Sequence, residues 1–276
     1  MQKFSYHAHT NGNGVYDGLN SVDEMICRAQ ELGFESYGIS NHFMCHPDLP
    51  TYKQLFFHDF TKALEQARRN IDEIREKSEK YRIPVYVGFE VDYFIWPQWR
   101  KEFEKILPKL EVDYLIGAVH TLQSSDGSKI AHLYDLAKTE EEKNAYRPNY
   151  WRAVKEAIQS GYFNWMAHLD LLKYFKLHQE SDWEHLLEIA ELLAKYQVAT
   201  ELNTGAMRRG LGEFYPSNRF LKELNRQNVL LLINDDAHSI KDVGSHYGDA
   251  ELFLSQIDYK NRLKDMSDFK KMKKQL

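Results

Sequence analysis

Two histidines one residue apart, His7 and His9, close the first short apolar run of the chain, and Asp236 and His238 repeat that spacing near its end. Side chains alternate with period two along an extended segment, so each pair presents both groups on one face, where they can grip one cation. Single groups of the same kind follow other runs: His42, Glu90, His120 and His168, with Asp17 in the loop after His9. One such residue closing a strand is ordinary. Its recurrence after six of seven runs marks a metal centre. The remaining histidines (His46, His58, His132, His178, His185 and His246) fall in loops or helical segments without that regularity and read as structural.

Six histidines with Asp17, Glu90 and Asp236 make nine candidate ligands, too many for one tetrahedral ion and suited to two or three ions of five or six coordination. Nitrogen and oxygen ligands without thiolate fit divalent zinc, manganese or iron. Clustered ions of this type lower the pKa of a water held between them and clamp phosphoryl oxygens, so the chemistry expected is phosphoester hydrolysis, with a small-molecule phosphoester as partner.

The seven runs that must position these groups are Phe4–Tyr6, Ser36–Ile39, Val85–Phe89, Tyr114–Val119, Asn164–Ala167, Val198–Leu202 and Leu230–Ile233. Most are continuously apolar, as in strands covered on both faces, and segments of helical period separate them. Ser21 and Glu24 form a capping box before Val22, Met25, Ile26 and Ala29, with Gly33 as the stop; Ser181 and Glu184 repeat the pattern. Asp59 to Lys80 reads as a charged amphipathic helix, and Pro148 as the opening of a helix that runs on to Gly161. Seven βα units point to an α/β fold, a TIM-like barrel one unit short of the usual eight, with a doubly wound open sheet as the alternative. In a barrel the functional groups gather after the C-terminal ends of the strands, where the candidate ligands stand.

The chain has 276 residues, 43% of them hydrophobic, with scattered Pro and Gly and no linker-like stretch, so one domain over 1–276 is expected. A net charge of -5 gives no reason to expect nucleic acid. A mean hydropathy of -0.61 and the lack of a long apolar run or an apolar leader argue against a membrane and for a cytoplasmic protein. Cys27 and Cys45 are too few for a disulfide framework or a four-cysteine zinc site.

Six stretches together carry a family resemblance: Tyr6-His7-Ala8-His9-Thr10, Gly88-Phe89-Glu90-Val91-Asp92-Tyr93, Asp113 through His120, Ala167-His168-Leu169-Asp170, Glu201 through Gly212, and Asp236-Ala237-His238-Ser239. The chain resembles the PHP (polymerase and histidinol phosphatase) superfamily and, within it, the monofunctional histidinol phosphatases. The resemblance implies a distorted (β/α)7 barrel with a trinuclear centre that hydrolyses L-histidinol phosphate. One ion would take His7, His9, Glu90 and Asp236, a second Glu90, His120 and His168, and a third Asp17, His42 and His238. Many relatives carry an acidic residue before the second-strand histidine, where this chain has Asn41. Two alternatives stand beside this reading: a phosphoesterase acting on a nucleotide or other phosphoester, and a non-catalytic metal-binding interaction module.

Beyond the ligands, Thr204-Gly205-Ala206-Met207-Arg208-Arg209-Gly210 follows the sixth run. A guanidinium forks phosphate oxygens, and the family position makes Arg208 the expected phosphate group, with Arg209 its neighbour in substrate binding. Asp170 is expected either to protonate the leaving alkoxide or to orient a metal-bound imidazole. Asp92 and Glu201 are candidates to receive a cationic leaving group at the mouth, and Gln123 to Asn149 is a candidate lid.

Overall fold

The computed structural model describes residues 1–124, 129–135 and 139–272, and in it the seven runs become seven parallel strands. They are β1 (Phe4–Ser5), β2 (Ser36–Ile39), β3 (Val85–Asp92), β4 (Tyr114–Ala118), β5 (Trp165–Met166), β6 (Ala199–Asn203) and β7 (Leu231–Asn234). They pair in chain order, from Phe4 opposite Ser36 round to Asn203 opposite Asn234. Between the first and last strands the ladder is reduced to a bridge of Ala8 with Ala237, drawn shut by His9 N donating to the Ala237 carbonyl at 2.8 Å. The side-chain oxygen of Asn234 accepts from Tyr6 N at 2.9 Å. The result is a distorted, nearly closed barrel surrounded by helices, not an open sheet.

The distortion lies at β3, the longest strand. Its first residues pair with β2, Tyr37 opposite Val85, and its last with a short strand, His42–Cys45, in which His42 faces Glu90 across the ladder. The chain breaks from the sheet at Ser40 and Asn41 and rejoins it one step along. Asn41 secures the break: its carbonyl accepts from Glu90 N at 3.1 Å, and its side chain holds Thr10 N at 2.7 Å and Asn70 Oδ1 at 3.1 Å. Asn41 thus ties the loop after β1 to the helix Phe60–Ser78.

Large aromatic residues plug the lower barrel. Tyr114 stacks on Trp165 at 4.8 Å, and Gly38 and Gly88 make room for it: a Cβ on Gly88 would meet the Tyr114 ring at 2.2 Å. Alternation along β3 then sets Glu90 and Asp92 on the inward face that Gly88 begins, and alternation along β6 places Glu201 and Asn203 above Ala199. The apolar plug below therefore leaves polar side chains in the upper barrel.

Ser21 and Glu24 form the expected capping box at Val22–Glu31, and Asp59 caps Phe60–Ser78 by accepting from Lys62 N at 3.0 Å. Two expected starts differ. Before Trp183–Tyr196 the chain makes a 3-10 turn, Glu180–Asp182, whose capping box is Gln179 with Asp182, not Ser181 with Glu184: the Asp182 carboxylate accepts Gln179 N at 2.7 Å and also takes Arg147 and Trp151. The helix expected to open at Pro148 starts at Glu140 and contains the proline. Of the candidate lid, 125–128 and 136–138 lie outside the described residues; the remainder forms a hairpin, Thr121–Gln123 with Ile130–His132, then the turn Leu133–Asp135 and the start of that helix. Among the described residues no helix is long and apolar enough to cross a membrane.

Candidate metal centre

All nine candidate ligands converge at the C-terminal end of the barrel. Their ligand atoms fall into four overlapping groups, each with members within 4.8 Å of one another: His9, Asp17, His42, His238; His7, His9, Asp236; His7, Glu90, His168; and His42, Glu90, His120. The partition drawn from the resemblance joined His120 with His168 on one ion. In the structure those two occupy separate groups that share Glu90, and His9 joins the group of Asp17 as well as that of Asp236.

Glu90 is the hub. Its Oε1 lies 2.8 Å from His168 Nε2 and 3.5 Å from His120 Nε2, and its Oε2 lies 3.0 Å from His42 Nδ1 and 3.3 Å from His7 Nε2. Asp236 Oδ1 stands 3.2 Å from His9 Nε2 and 3.5 Å from His7 Nε2. Two ligands on one tetrahedral ion, each about 2.1 Å from it, are about 3.4 Å apart, so these spacings suit a shared cation. Buried nitrogens and oxygens normally find hydrogen-bond partners, yet His7 Nε2, both ring nitrogens of His9, and Glu90 Oε2 have none. The orphaned atoms point into the centre, so the donor set fits divalent ions.

Charge follows the same logic. Burial pulls the His7 and His42 pKa values down, but Glu201, Glu90 and Asp236 around His7, and Asp17 and Glu90 around His42, outweigh it and hold both well above the ordinary range. Burial likewise raises Glu90 and Asp236, and His7 foremost reverses it, leaving both carboxyls well below theirs. His9, buried beside His238 and His42, is pushed down to about 3. The carboxylates thus stay ionised and demand positive charge among the imidazoles, which bound cations supply.

The backbone holds two ligands in unusual conformations: His168 at φ 25° and Asp236 at φ 51°, a region disfavoured for residues with a Cβ. Arg208 braces the second. Its Nη2 donates to the Asp236 carbonyl at 2.8 Å, its Nη1 to Ser245 Oγ at 2.9 Å, and its Nε faces Asp242 Oδ1 at 3.2 Å. Asp242 in turn accepts from His238 N at 3.2 Å. In the structure all three nitrogens of the Arg208 guanidinium thus face protein oxygens behind the ligands.

Arg209 is the arginine that lines the cleft. Its guanidinium lies 5.3 Å from the centre of the Tyr174 ring, and among the described residues it has no carboxylate within salt-bridge distance. Asp170 is buried behind the cleft. Its Oδ2 accepts from Ser217 N at 2.7 Å and faces Lys173 Nζ at 3.4 Å, while its buried Oδ1 has no hydrogen-bond partner among the described residues.

Glu201 and Asp92 stand beneath the ligands, not at the mouth. Glu201 is fully buried and accepts from His7 Nδ1 at 2.9 Å, Asn203 Nδ2 at 2.7 Å, Asn234 Nδ2 at 2.9 Å and Trp165 Nε1 at 3.3 Å. It thereby leaves the His7 Nε2 lone pair for a cation. Asp92 accepts from His120 N at 2.5 Å. The cleft, about 490 Å³, also gathers Lys53, His132, Tyr134 and Phe175, which no pattern in the sequence singled out. His132 lies parallel to His120 at 6.2 Å, and burial foremost pushes its pKa down to about 2.

A model of the PHP domain matches residues 5–205. The chain belongs to the PHP family. Among similar curated proteins, a Deinococcus radiodurans protein named "Probable histidinol-phosphatase" is 28% identical over 75% of this chain and 78% of its own length. One from Schizosaccharomyces pombe with the same name is 24% identical over 91% of this chain and 86% of its own. The crystal structure of histidinol phosphate phosphatase from Lactococcus lactis, complexed with zinc, L-histidinol and phosphate, superposes with a TM-score of 0.71 at 20% identity, covering 95% of each chain. That likeness carries the PHP barrel over to this chain.

Proposed function

We propose that this PHP chain is a metal-dependent phosphomonoesterase whose substrate is L-histidinol phosphate, hydrolysed to L-histidinol and phosphate. The observation that carries the reading is the convergence of nine ligands at one cleft beside Arg209, a guanidinium with no carboxylate within salt-bridge distance among the described residues. The names of the relatives and the alcohol and phosphate bound by the Lactococcus structure support the choice of ester.

His7, His9, Asp17, His42, Glu90, His120, His168, Asp236 and His238 would hold two or three divalent ions. When bound, such ions supply Lewis acidity and an acidified water. Arg209 holds the non-bridging phosphate oxygens through a planar fork that a lysine cannot reproduce, with the Tyr174 ring centre 5.3 Å from its guanidinium. Glu201 and Asp92 keep His7 and His120 in place, and Arg208 with Asp242 holds Asp236 and His238, so the centre need not reorganise when substrate enters. Leu55, Leu171 and Phe175 close the cleft walls with apolar surface, which strengthens each polar contact inside. The test is phosphate release by the metal-loaded protein from L-histidinol phosphate and from a panel of nucleotides and sugar phosphates. A kcat/KM for histidinol phosphate at least tenfold above the panel is expected; comparable values across the panel would reject the substrate.

A further inference from the structure

Lys53 lies in the loop between Cys45 and the helix Phe60–Ser78 and lines the same cleft. Its ammonium rests beside two aromatic rings, 5.5 Å from the centre of Phe56 and 5.6 Å from that of Tyr134, and among the described residues it meets no carboxylate within salt-bridge distance. The nearby acid has another partner: Asp135 accepts from the Tyr52 hydroxyl. A lysine in a groove ordinarily finds an acid. This one is held by ring faces, which fix its position without neutralising it. Apart from Asp17, Glu90 and Asp236, the cleft lining contains no carboxylate among the described residues, and Lys53, Arg209, Tyr134 and Phe175 give it cationic and aromatic groups.

We propose that Lys53 is a specificity-determining residue that draws the dianionic phosphate into the cleft and disfavours rebinding of the alcohol product. The proposal rests on the phosphomonoesterase reading. The substrate enters carrying a dianionic phosphate, and after hydrolysis the alcohol retains only its ammonium and imidazole. The same positive charge that attracts the ester therefore repels the alcohol. Lys53 touches no metal ligand among the contacts described, so its removal leaves the centre assembled. For a unit charge acting on a dianion about 10 Å away through water, Coulomb's law gives about a fourfold change in affinity. Screening reduces that to less than about twofold at physiological ionic strength.

The experiment compares metal-loaded wild type, Lys53→Met and Lys53→Arg, each first checked for metal content. Inorganic phosphate binding is measured by calorimetry at low and at high sodium chloride, and histidinol inhibition is measured with p-nitrophenyl phosphate as reporter substrate. Expected are unchanged metal content, about fourfold weaker phosphate binding by Lys53→Met at low salt, a difference that vanishes at high salt, recovery in Lys53→Arg, and tighter inhibition by histidinol in Lys53→Met. Equal phosphate affinity of Lys53→Met and wild type at low salt would overturn the role of Lys53, as would a loss that salt does not diminish. Failure of histidinol to inhibit any of the three, with the phosphate difference intact, would instead overturn histidinol as the product.

Discussion

Replacing Glu201 by glutamine keeps shape and removes one acceptor oxygen from a buried cluster that contains only donors. In the less damaging orientation the new NH2 takes the place of Oε1, the atom that accepts Asn203 Nδ2 at 2.7 Å and His168 N at 3.4 Å. Asn203 cannot flip to compensate, because its own Oδ1 accepts Gly205 N at 2.8 Å. The bond from Asn203 and the longer one from His168 N are lost, the new buried NH2 faces only donors, and Asn203 Nδ2 keeps just its 3.3 Å bond to Asp236 Oδ2, which together costs about 3 kcal/mol of stability. In the other orientation Asn234 Nδ2 and Trp165 Nε1 lose their acceptor and His7 Nδ1 keeps only its 3.1 Å contact with Oε1, so that state is disfavoured. Even in the first, His7 faces a neutral amide in place of a carboxylate, and removing such a partner lowers metal affinity about 10- to 100-fold. Zinc titration against a competing chelator, with urea denaturation of the metal-free proteins, reads both effects. Zinc affinity within about twofold of wild type, together with unchanged urea stability, would refute the claim that Glu201 supports the centre.

Arg209→Ala should raise KM and weaken inhibition by inorganic phosphate while metal content stays full, whereas Arg208→Ala should release Asp236 and lower metal content; elemental analysis beside kinetics separates the two. Asp236→Ala, which removes the shared oxygen between His7 and His9, should abolish phosphate release and lower the number of ions bound. Chelation should leave the barrel folded but lower its thermal midpoint, since each ion at a hundred times its Kd contributes about 2.7 kcal/mol, and scanning calorimetry with and without chelator measures the shift. His46 is buried against Phe94 and Trp96, and burial pushes its pKa down to about 4. The unfolded chain takes up that proton near pH 6.5 and the native one only near 4, so stability falls by about 3 kcal/mol as pH drops across that window. Urea midpoints at pH 7 and 4.5 should show that limb flattened in His46→Phe.

The seven strands and their terminal ligands were legible because buried parallel strands are apolar throughout, so a histidine or acid closing such a run is conspicuous. His42 was visible as a ligand, although the strand it opens, His42–Cys45, was not: its pairing with Glu90 and Val91 depends on a break at Ser40 and Asn41 that no local propensity encodes. The choice of Arg208 over Arg209 for the phosphate rests on the family position and not on the residues themselves, since neighbours on one helical turn point about 100° from each other and the spacing fixes neither direction. Glu201 and Asp92 were noticed as acids, but their roles hang on which strand faces them across the barrel. The seat of Lys53 follows from ring contacts between distant segments, and spacing along the chain carries no trace of it.

The four ligand groups share members in a closed cycle: His9 links the first to the second, His7 the second to the third, Glu90 the third to the fourth, and His42 the fourth to the first. Adjacent groups therefore compete for a residue, and opposite groups do not. Two ions can be held without any shared ligand, either by the set of Asp17 with that of His168, or by the set of Asp236 with that of His120. Any third group lies between two others and shares one residue with each, so it must bridge through one of them and yield the other. An imidazole nitrogen has one lone pair for a metal, whereas a carboxylate has two oxygens, and Glu90 already directs one towards His168 and His120 and the other towards His7 and His42. A third ion would therefore be held where Glu90 bridges the sets of His168 and His120 while His42 stays with the set of Asp17. In Glu90→Gln one of those oxygens becomes a donor that repels a cation, so the third ion is the one this substitution removes first.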